Sequence, residues 1–322
     1  MKTSITVTRN DAGQRLDKFL TKTYKALPMA MLYKAIRKKD IKRNGKRIAA
    51  EDKVEAGDVI AVYLPDDVLV QTAPVYEFMH ASRSLSIVYE DEHMMLLNKP
   101  VGLIVHPDDS EFTDTLIFRV QRYLYEKGEY DPEAENSFAP ALVNRIDRNT
   151  CGIVIAAKTA AALRILNEKL KNREIQKYYL CIVHGKMPKQ SDTLEAFLEK
   201  NEAQNRVYIS DTAKAGARTI RTRYTVLEQK NNLSLLEIHL LTGRTHQIRA
   251  HMASIGHPLL GDGKYGTNAL NKGTGFNKQA LCSYRLCFDF ESDAGELNYL
   301  KGKEFTLEDV WFAQEFRDGK IG

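Results

Sequence analysis

The sequence has few cysteines and no features that would place it in a membrane. Its 322 residues include four cysteines, and no two of them form a Cys-x-x-Cys pair. A chain of this length does not need disulfides for stability, so we expect reduced thiols. The first residues lack the apolar core of a signal peptide, and no apolar run approaches the ~18 residues of a membrane helix. We therefore predict a cytoplasmic protein without a membrane partner.

The sequence also lacks the motifs of common cofactor and metal enzymes. No Gly-x-Gly-x-x-Gly follows a predicted strand, and the glycines of 261–266 are better explained by a turn. Neither a Gly-Lys-Ser/Thr phosphate loop nor a Gly-x-Ser-x-Gly motif occurs. His246, His251 and His257 lack the four-residue spacing of zinc-protease histidines. We predict no metal and no cofactor, which leaves chemistry based on carboxylate, arginine and tyrosine.

Positive charge is concentrated near the N-terminus. Residues 14–48 contain twelve Lys/Arg and two Asp, a local net charge of +10 in a chain whose total is +5. The surrounding pattern predicts two helices, a hairpin at Asn44-Gly45 and further short strands, which together form a small α/β module. A surface that is merely solvated usually mixes both signs of charge. A basic module attached to a near-neutral remainder therefore favours binding to a polyanion.

This N-terminal stretch resembles the small RNA-binding domain named after ribosomal protein S-four, also called the alpha-L motif. The matching segments are Arg15–Leu20, the basic second helix, and Ile41–Lys46. The resemblance implies RNA contacts from four basic residues of the second helix and the hairpin, namely Arg37, Lys38, Lys42 and Arg43. We predict an RNA-binding domain over 1–64, a linker over 65–84 and a second domain over 85–322.

The second domain contains a carboxylate between two arginines. Asp147 lies between Arg145 and Arg148, and the apolar run 153–157 follows at once. The pattern predicts a loop that leads into a buried strand. Opposite charges on both sides favour the charged form of a carboxylate, as a nucleophile requires. An exposed, ion-paired loop is the alternative interpretation of the same residues.

Four stretches of this domain together resemble the RluA-type pseudouridine synthases, which modify ribosomal and transfer RNA. They are Asn98–Pro107, Asn144–Gly152, Lys177–Gly185, and Thr242–His251 with 257–262. The resemblance implies an α+β fold in which helices and loops flank a mixed, mainly antiparallel sheet. The chain departs from the usual pattern where Asn144 replaces His, Ile146 replaces Leu, Cys151 replaces Ser, and Cys282 replaces His.

The resemblance also implies a reaction and roles for individual residues. Asp147 would be the nucleophile that isomerises uridine to pseudouridine without a cofactor, and Arg249 would be its ion-pair partner. Tyr179 would lie against the uracil, with its hydroxyl available for proton transfer. Attack on the anomeric carbon of the sugar and addition to the uracil ring both remain open.

Further residues are expected to contact the RNA substrate. By resemblance, Arg145 fills the space that the flipped nucleotide leaves. Lys99 and His106 either shape their loop or contact RNA. The remaining expected contacts are Thr150, Arg244 and His246. Large-subunit ribosomal RNA is the first expected substrate, transfer RNA is the alternative, and a monomer is the default state.

Two other functions fit parts of this pattern. One is an RNA-binding protein whose second domain has no activity, although the joint presence of Asp147, Tyr179 and Arg249 argues against it. The other is a hydrolase that cleaves a glycosidic bond, which commonly needs two carboxylates. No second acid accompanies Asp147 in its own matching stretch, 144–152.

Overall fold

The computed structural model of the chain describes residues 3–69 and 76–321. Residues 70–75, in the middle of the predicted linker, therefore lie outside the described residues. Across these two ranges, no helix combines the length and the apolar character needed to cross a lipid bilayer. Helices alternate with mainly antiparallel strands, which confirms the predicted α+β class.

A small sheet and two helices form the N-terminal module. Its elements are β1 (Thr3–Thr6), α1 (Leu16–Thr23), α2 (Met29–Lys38), β2 (Ile41–Arg43), β3 (Lys46–Arg47) and β4 (Val59–Val62). The strands lie in the order β1-β4-β2-β3, and all neighbouring pairs are antiparallel. Leu16, Phe19 and Leu20 of α1 are fully buried in one core with Leu32 of α2. The apolar residues that recur at helical spacing in the sequence are thus the ones that form the buried face of the helix.

A large mixed sheet forms the second part of the chain. Its strands are β5 (Ile87–Glu90), β6 (Met94–Lys99), β7 (Ala141–Leu142), β8 (Cys151–Ala157), β9 (Ile175–His184), β10 (Ser191–Asn201), β11 (Arg206–Ser210), β12 (Arg218–Lys230), β13 (Leu233–Leu240), β14 (Leu281–Phe288) and β15 (Glu304–Thr306). The main order is β11-β10-β12-β13-β9-β14-β8-β6-β5, while β7 pairs with β8 and β15 with β14. Within the described ranges only the β14–β8 pair is parallel.

Helices pack against this sheet and between its loops. They are α3 (Leu116–Glu126), α4 (Ala160–Lys171), α5 (Gln247–Ser254), α6 (Asn268–Asn271) and α7 (Trp311–Arg317). The side chain of Thr115 caps the start of α3, and that of Thr159 caps the start of α4. Ala162 and Leu166 of α4 are fully buried in the same apolar cluster as Ile153 and Ile155 of β8.

The parallel contact between β8 and β14 requires a glycine at one position. Gly152 has a φ of +106°, and a Cβ placed there would lie 2.1 Å from the carbonyl oxygen of Ser283. A side chain would therefore collide with the neighbouring backbone as well as strain its own. Gly152 thus allows β8 to approach β14 at the point where the Asp147 loop enters the sheet.

Polar side chains connect the N-terminal module to the second part of the chain. Asp11, fully buried, accepts a hydrogen bond from Asn136 Nδ2 at 2.7 Å. Gln14 Nε2 donates to Ser137 Oγ at 2.8 Å, and Asn10 Oδ1 accepts from the backbone N–H of Ala160 at 3.1 Å. The loop that precedes β7 therefore contacts the basic module directly.

Candidate active site

The loop between β7 and β8 carries Asp147 and is fixed to the sheet at both ends. Asn144 Oδ1 accepts the backbone N–H of Ile155 at 2.8 Å. The carbonyl of Asp147 accepts the N–H of Thr150 at 3.0 Å, which closes a tight turn. Asn144, one of the departures from the family pattern, thus has a structural role because its amide satisfies a backbone donor of β8.

Lys99 holds the same loop from beneath. Its side chain is fully buried, and its ammonium donates to the carbonyls of Pro100, Leu103 and Arg148 at 2.9, 2.7 and 2.9 Å. Burial lowers the pKa of Lys99 to about 8. All three N–H groups are used, so none is free for a phosphate. Of the two roles expected for Lys99, these contacts favour shaping the loop over contacting RNA.

Arg249 on α5 bridges two carboxylates. Its Nη1 lies 2.8 Å from Oδ2 of Asp147. Its Nε and Nη2 lie 2.7 and 3.0 Å from the two carboxylate oxygens of Asp262. Burial alone would lower the pKa of Arg249, but Asp262 and Asp147 raise it above its ordinary value. Arg249 is thus a fixed cation whose guanidinium fork points at the loop of Asp147.

The start of α5 differs from the sequence-based expectation. From the sequence, Thr245 is a plausible N-cap for this helix, but His246 occupies the cap position with a left-handed φ of 52°. The side-chain carbonyl of Gln247 instead accepts the N–H of Arg244 at 3.1 Å and the hydroxyl of Thr242 at 2.9 Å. Residues 247–252 are all buried, so the helix has no solvent face over this range. The prediction of Thr245 as the cap was wrong because Gln247 satisfies this turn.

His246 faces Asp147 through one ring nitrogen and Tyr265 through the other. Its Nε2 lies 3.9 Å from Asp147 Oδ2, and its Nδ1 lies 2.9 Å from the hydroxyl of Tyr265. That hydroxyl accepts the N–H of Val207 at 3.0 Å, so its own proton is available for Nδ1. Burial lowers the pKa of His246. We infer a neutral ring that carries its proton on Nε2, towards Asp147.

Two adjacent tyrosines of β9 point to opposite faces of the sheet. Tyr179 is 5% exposed and lines the same cavity as Asp147, and burial raises its pKa to about 12. Tyr178 instead stacks on His239, with 4.4 Å between the ring centroids, and lies beneath the guanidinium of Arg285. The alternation of a strand therefore brings only Tyr179 of this pair to the cavity.

These side chains surround one cavity of about 970 Å³. Four segments that are distant in sequence line it: 104–110, 142–150, the start of β9, and 240–249. Its size suits one nucleotide with its flanking backbone, and its lining combines a carboxylate, several cations and a buried phenol.

Comparisons with known proteins agree with this arrangement. The family model described as RNA pseudouridylate synthase matches residues 93–254, and the S4 domain model matches residues 14–60. The chain belongs to the RNA pseudouridylate synthase family. The expected family and the expected N-terminal RNA-binding domain are both confirmed, and the enzyme is an isomerase acting on RNA.

The similarity to named synthases extends over most of the enzyme. It is 33% identical over 302 residues to ribosomal large subunit pseudouridine synthase C of Haemophilus ducreyi, covering 91% of this chain and 89% of that protein. The Escherichia coli K12 protein of the same name is 34% identical, covering 88% of both chains. The structure of human RNA pseudouridylate synthase domain containing 4 is 18% identical with a TM-score of 0.57, covering 74% of this chain and 94% of that one. This structural likeness confirms the expected synthase fold.

The structure places the other expected nucleotide contacts of the synthase at the cavity. Arg145 and Arg244 are exposed and line it. Thr150 is buried, and its hydroxyl lies 3.4 Å from Gln279 Nε2. His106 also lines the cavity, and its pKa is lowered by burial and by the charge of Arg145.

The expected RNA contacts of the N-terminal module lie outside this cavity. Arg37 and Lys38 end α2 and are exposed, while Lys42 and Arg43 on β2 are half-buried. Arg43 is partly engaged, because it lies 3.6 Å from Asp58 and donates to the carbonyl of Lys53. The exposed pair on α2 is therefore the more accessible part of this surface.

Three residues at the site were not identified by sequence reasoning. Asp262 pairs with Arg249, Tyr265 contacts His246, and Gln279 contacts Thr150. Asp262 ends the matching stretch 257–262 but received no role, Tyr265 lies in the segment assigned to a turn, and Gln279 lies just before β14. No periodicity indicated them, because their partners come from other elements. The clustering of glycines at 261–266 was the available signal that this backbone is closely packed.

Proposed function

We propose that the enzyme converts uridine to pseudouridine in large-subunit ribosomal RNA, with Asp147 as its nucleophile. Its relatives from Haemophilus and Escherichia carry that substrate in their names, and the similarity covers nearly the whole chain. The observation that supports the role of Asp147 best is its single ion pair with Arg249, inside a cavity of nucleotide size.

The reaction balances without an external reactant. The bond between uracil N1 and the anomeric carbon breaks, and a bond between uracil C5 and that carbon forms. The proton on C5 leaves, and N1 gains one, so the product is an isomer of the substrate. No electrons are gained or lost overall, and this chemistry requires no redox or group-carrying cofactor.

Asp147 supplies a carboxylate that can form a transient covalent bond to the nucleotide. Its Oδ2 accepts from Arg249, and among the described residues no hydrogen-bond donor contacts its Oδ1. Covalent catalysis splits one difficult step into two easier ones. In this proposal Oδ1 attacks either the anomeric carbon or the uracil ring, while Arg249 orients the carboxylate through Oδ2.

Tyr179 and His246 complete the proposed machinery. The ring of Tyr179 gives the uracil a flat apolar face, and its hydroxyl takes the C5 proton as it passes its own proton to solvent water. A pKa of about 12 keeps this hydroxyl protonated at neutral pH, so the two transfers must be coupled. The neutral His246 directs its Nε2 proton into the space beside Asp147, where a hydroxyl or carbonyl of the nucleotide can accept it.

The target nucleotide must leave its stack to reach Asp147. Flipping costs a few kcal/mol, and less in a loop than in a helix. Arg145 is exposed at the cavity, two residues before Asp147, and we assign it to the space that the nucleotide vacates. This cost favours loops and bulges of ribosomal RNA as targets.

A tritium-release assay tests this proposal. Uridines labelled at C5 lose tritium to water only when C5 forms its new bond. We expect release from large-subunit ribosomal RNA of cells that lack the enzyme, and loss of more than about 10³-fold with Asp147→Asn. Asp108→Asn is the matched control, because Asp108 also lines the cavity and lies 3.5 Å from an arginine.

The same assay separates the competing outcomes. Release from transfer RNA but not from ribosomal RNA would reassign the substrate. Equal loss of activity in both variants would show that charge at the cavity, rather than a nucleophile, is what Asp147 supplies. Mapping the modified position in the ribosomal RNA then identifies the target uridine.

A further inference from the structure

We propose that Asp262 is a positioning residue for the reaction, which holds Arg249 so that a single N–H meets the nucleophile. This inference rests on the proposed role of Asp147. Asp262 has no exposed side-chain surface and does not line the cavity, so it does not touch the nucleotide itself and acts through residues that it holds, of which Arg249 contacts Asp147 directly.

The two carboxylates contact different nitrogens of the Arg249 guanidinium. Asp262 takes the edge formed by Nε and Nη2, with both carboxylate oxygens engaged at 2.7 and 3.0 Å. Nη1 donates to Asp147 Oδ2 at 2.8 Å. Because the fork is planar and rigid, pairing at one edge fixes the direction of the third nitrogen. Asp262 therefore sets the position and the direction of the donor that reaches Asp147.

Asp262 is itself held by the backbone of its turn. Its Oδ1 accepts the N–H groups of Lys264 and Tyr265 at 2.9 and 3.2 Å. The preceding Gly261 has a φ of +76°, and a Cβ there would lie 2.1 Å from the carbonyl of Lys278. The backbone N–H of Leu260 donates a hydrogen bond to the carbonyl of Ile182 on β9 at 2.9 Å. The carboxylate is thus anchored to the sheet rather than to a free loop.

The charges explain why this arrangement favours attack by Asp147. The guanidinium of Arg249 is shared between two carboxylates. The buried carboxylate of Asp262 already balances its positive charge. Without Asp262, the guanidinium of Arg249 would be free to turn, so that two of its nitrogens could pair with both oxygens of Asp147. A carboxylate held at both oxygens has no free oxygen for the nucleotide and is less nucleophilic. Asp262 therefore keeps Oδ1 of Asp147 available.

A purely structural role for Asp262 is the alternative to be tested, and the chain contains a matched control. Asp91 caps its own turn in the same way, with Oδ1 accepting the N–H groups two and three residues onward at 2.8 and 2.9 Å. Its other oxygen contacts tyrosine hydroxyls rather than Arg249. Asp91→Asn therefore tests the loss of a turn-capping charge without a change at the nucleophile.

Asp262→Asn places an amide N–H against the Nε–H of Arg249, so the guanidinium must move while the turn keeps its oxygen acceptor. We expect the single-turnover rate of tritium release at saturating RNA to fall about 10- to 100-fold, since small displacements of reacting groups have effects of that size. The RNA concentration at half-maximal rate should change less than twofold. Asp91→Asn should change neither quantity by more than twofold.

Asp262→Ser is the second variant, because a serine hydroxyl also accepts backbone N–H groups in a turn but cannot bridge both nitrogens of Arg249. It should lose rate as Asp262→Asn does, with a melting temperature close to that of Asp91→Asn. Rates within threefold of wild type for Asp262→Asn or Asp262→Ser, or a change confined to RNA affinity, would overturn the inference. An inactive wild type would instead refute the proposed function, so the two failures are distinguishable.

Discussion

At the scale of single residues, the active site depends on how many partners each polar group has. Lys99 uses all its protons on backbone carbonyls, and Arg249 uses three of its nitrogens on two carboxylates. Tyr179 is buried with a raised pKa and lines the same cavity as Asp147. Among the described residues, Oδ1 of Asp147 and the hydroxyl of Tyr179 are two groups of this cavity that retain free hydrogen-bonding capacity. These two are the groups to which we assign the chemistry.

The hydroxyl of Tyr179 can be tested by removing it and retaining the ring. We expect Tyr179→Phe to lower the single-turnover rate by about 10²- to 10³-fold, because proton transfer contributes roughly that much to catalysis. RNA affinity should remain within threefold, since the flat ring is kept. Tyr178→Phe is the matched control on the opposite face of β9 and should stay within threefold of wild type. A nearly active Tyr179→Phe would contradict a proton-transfer role.

The sequence offers Asp147, Tyr179 and Arg249 as candidates because each lies in a motif with a recognisable neighbourhood, and the structure brings all three to one cavity. Asp262 ends the matching stretch 257–262, but no role could be assigned to it, because its partner is thirteen residues away across a helix end and a turn. Tertiary packing decides the polar contacts of this turn, and they cannot be predicted from the spacing of residues within the turn. The wrong cap at Thr245 has a similar cause, since the left-handed backbone of His246 and the amide of Gln247 replace a threonine cap.

At the scale of elements, α5 is docked on β12 by polar groups as well as apolar ones. Gln247 Nε2 and His251 Nδ1 both contact the buried hydroxyl of Thr222, at 3.0 Å each. Arg249 is two residues from each of them and therefore lies on the other side of the helix, at the cavity. Apolar periodicity favours a helix here, but it does not predict that residues 247–252 are all buried. A helix surrounded on all sides carries buried polar residues, which periodicity assigns to solvent.

The docking of α5 makes stability depend on pH. Burial lowers the pKa of His251 to about 4, against about 6.5 in an unfolded chain. As the pH falls from about 6.5 to 4, the unfolded state takes up a proton that the folded state excludes. The free energy of unfolding should therefore fall by up to about 1.4 kcal/mol per pH unit in that window from His251 alone.

Chemical denaturation at several pH values checks this dependence. His251→Gln should show a shallower fall between pH 6.5 and 4 than wild type, because glutamine does not titrate. His80→Gln is the control, since His80 is exposed and should leave the slope unchanged. Equal slopes for His251→Gln and wild type would remove His251 as the source of this dependence.

At the scale of the whole molecule, a basic module is joined to a catalytic sheet through a polar contact. Asp11, Gln14 and Asn10 meet Asn136, Ser137 and the start of α4. We propose that residues 1–64 act as the RNA-binding domain and 85–322 as the catalytic domain. The contact would present both to the same RNA, with phosphate contacts on one and base chemistry in the other.

The basic module should control how RNA binding responds to salt. Each cation that meets a phosphate adds about 0.7 to 0.9 to the slope of log affinity against log salt. We expect the double variant Arg37→Gln and Lys38→Gln to lower this slope by about 1.5 and to weaken binding. The single-turnover rate at saturating RNA should stay the same, because the cavity is untouched.

Neutralising Lys301 and Lys303 in the same way provides the charge-matched control. Both are exposed, and among the described residues neither forms an ion pair or lines the cavity. A fall in the slope equal to that of the Arg37 and Lys38 variant would show a response to net charge alone. An unchanged slope in the variant with Arg37 and Lys38 replaced would remove α2 from the RNA surface.

The buried ammonium of Lys99 has a consequence for when the ordering of the active site takes place. Its three hydrogen bonds fix the carbonyl of Arg148, next to Asp147, while the protein folds. The loss of backbone entropy in that loop is therefore incurred once during synthesis of the enzyme, and not again at every encounter with RNA. The free energy of RNA binding then remains available for extruding the nucleotide. In each catalytic cycle, the conformational entropy that is lost is then mainly that of the RNA.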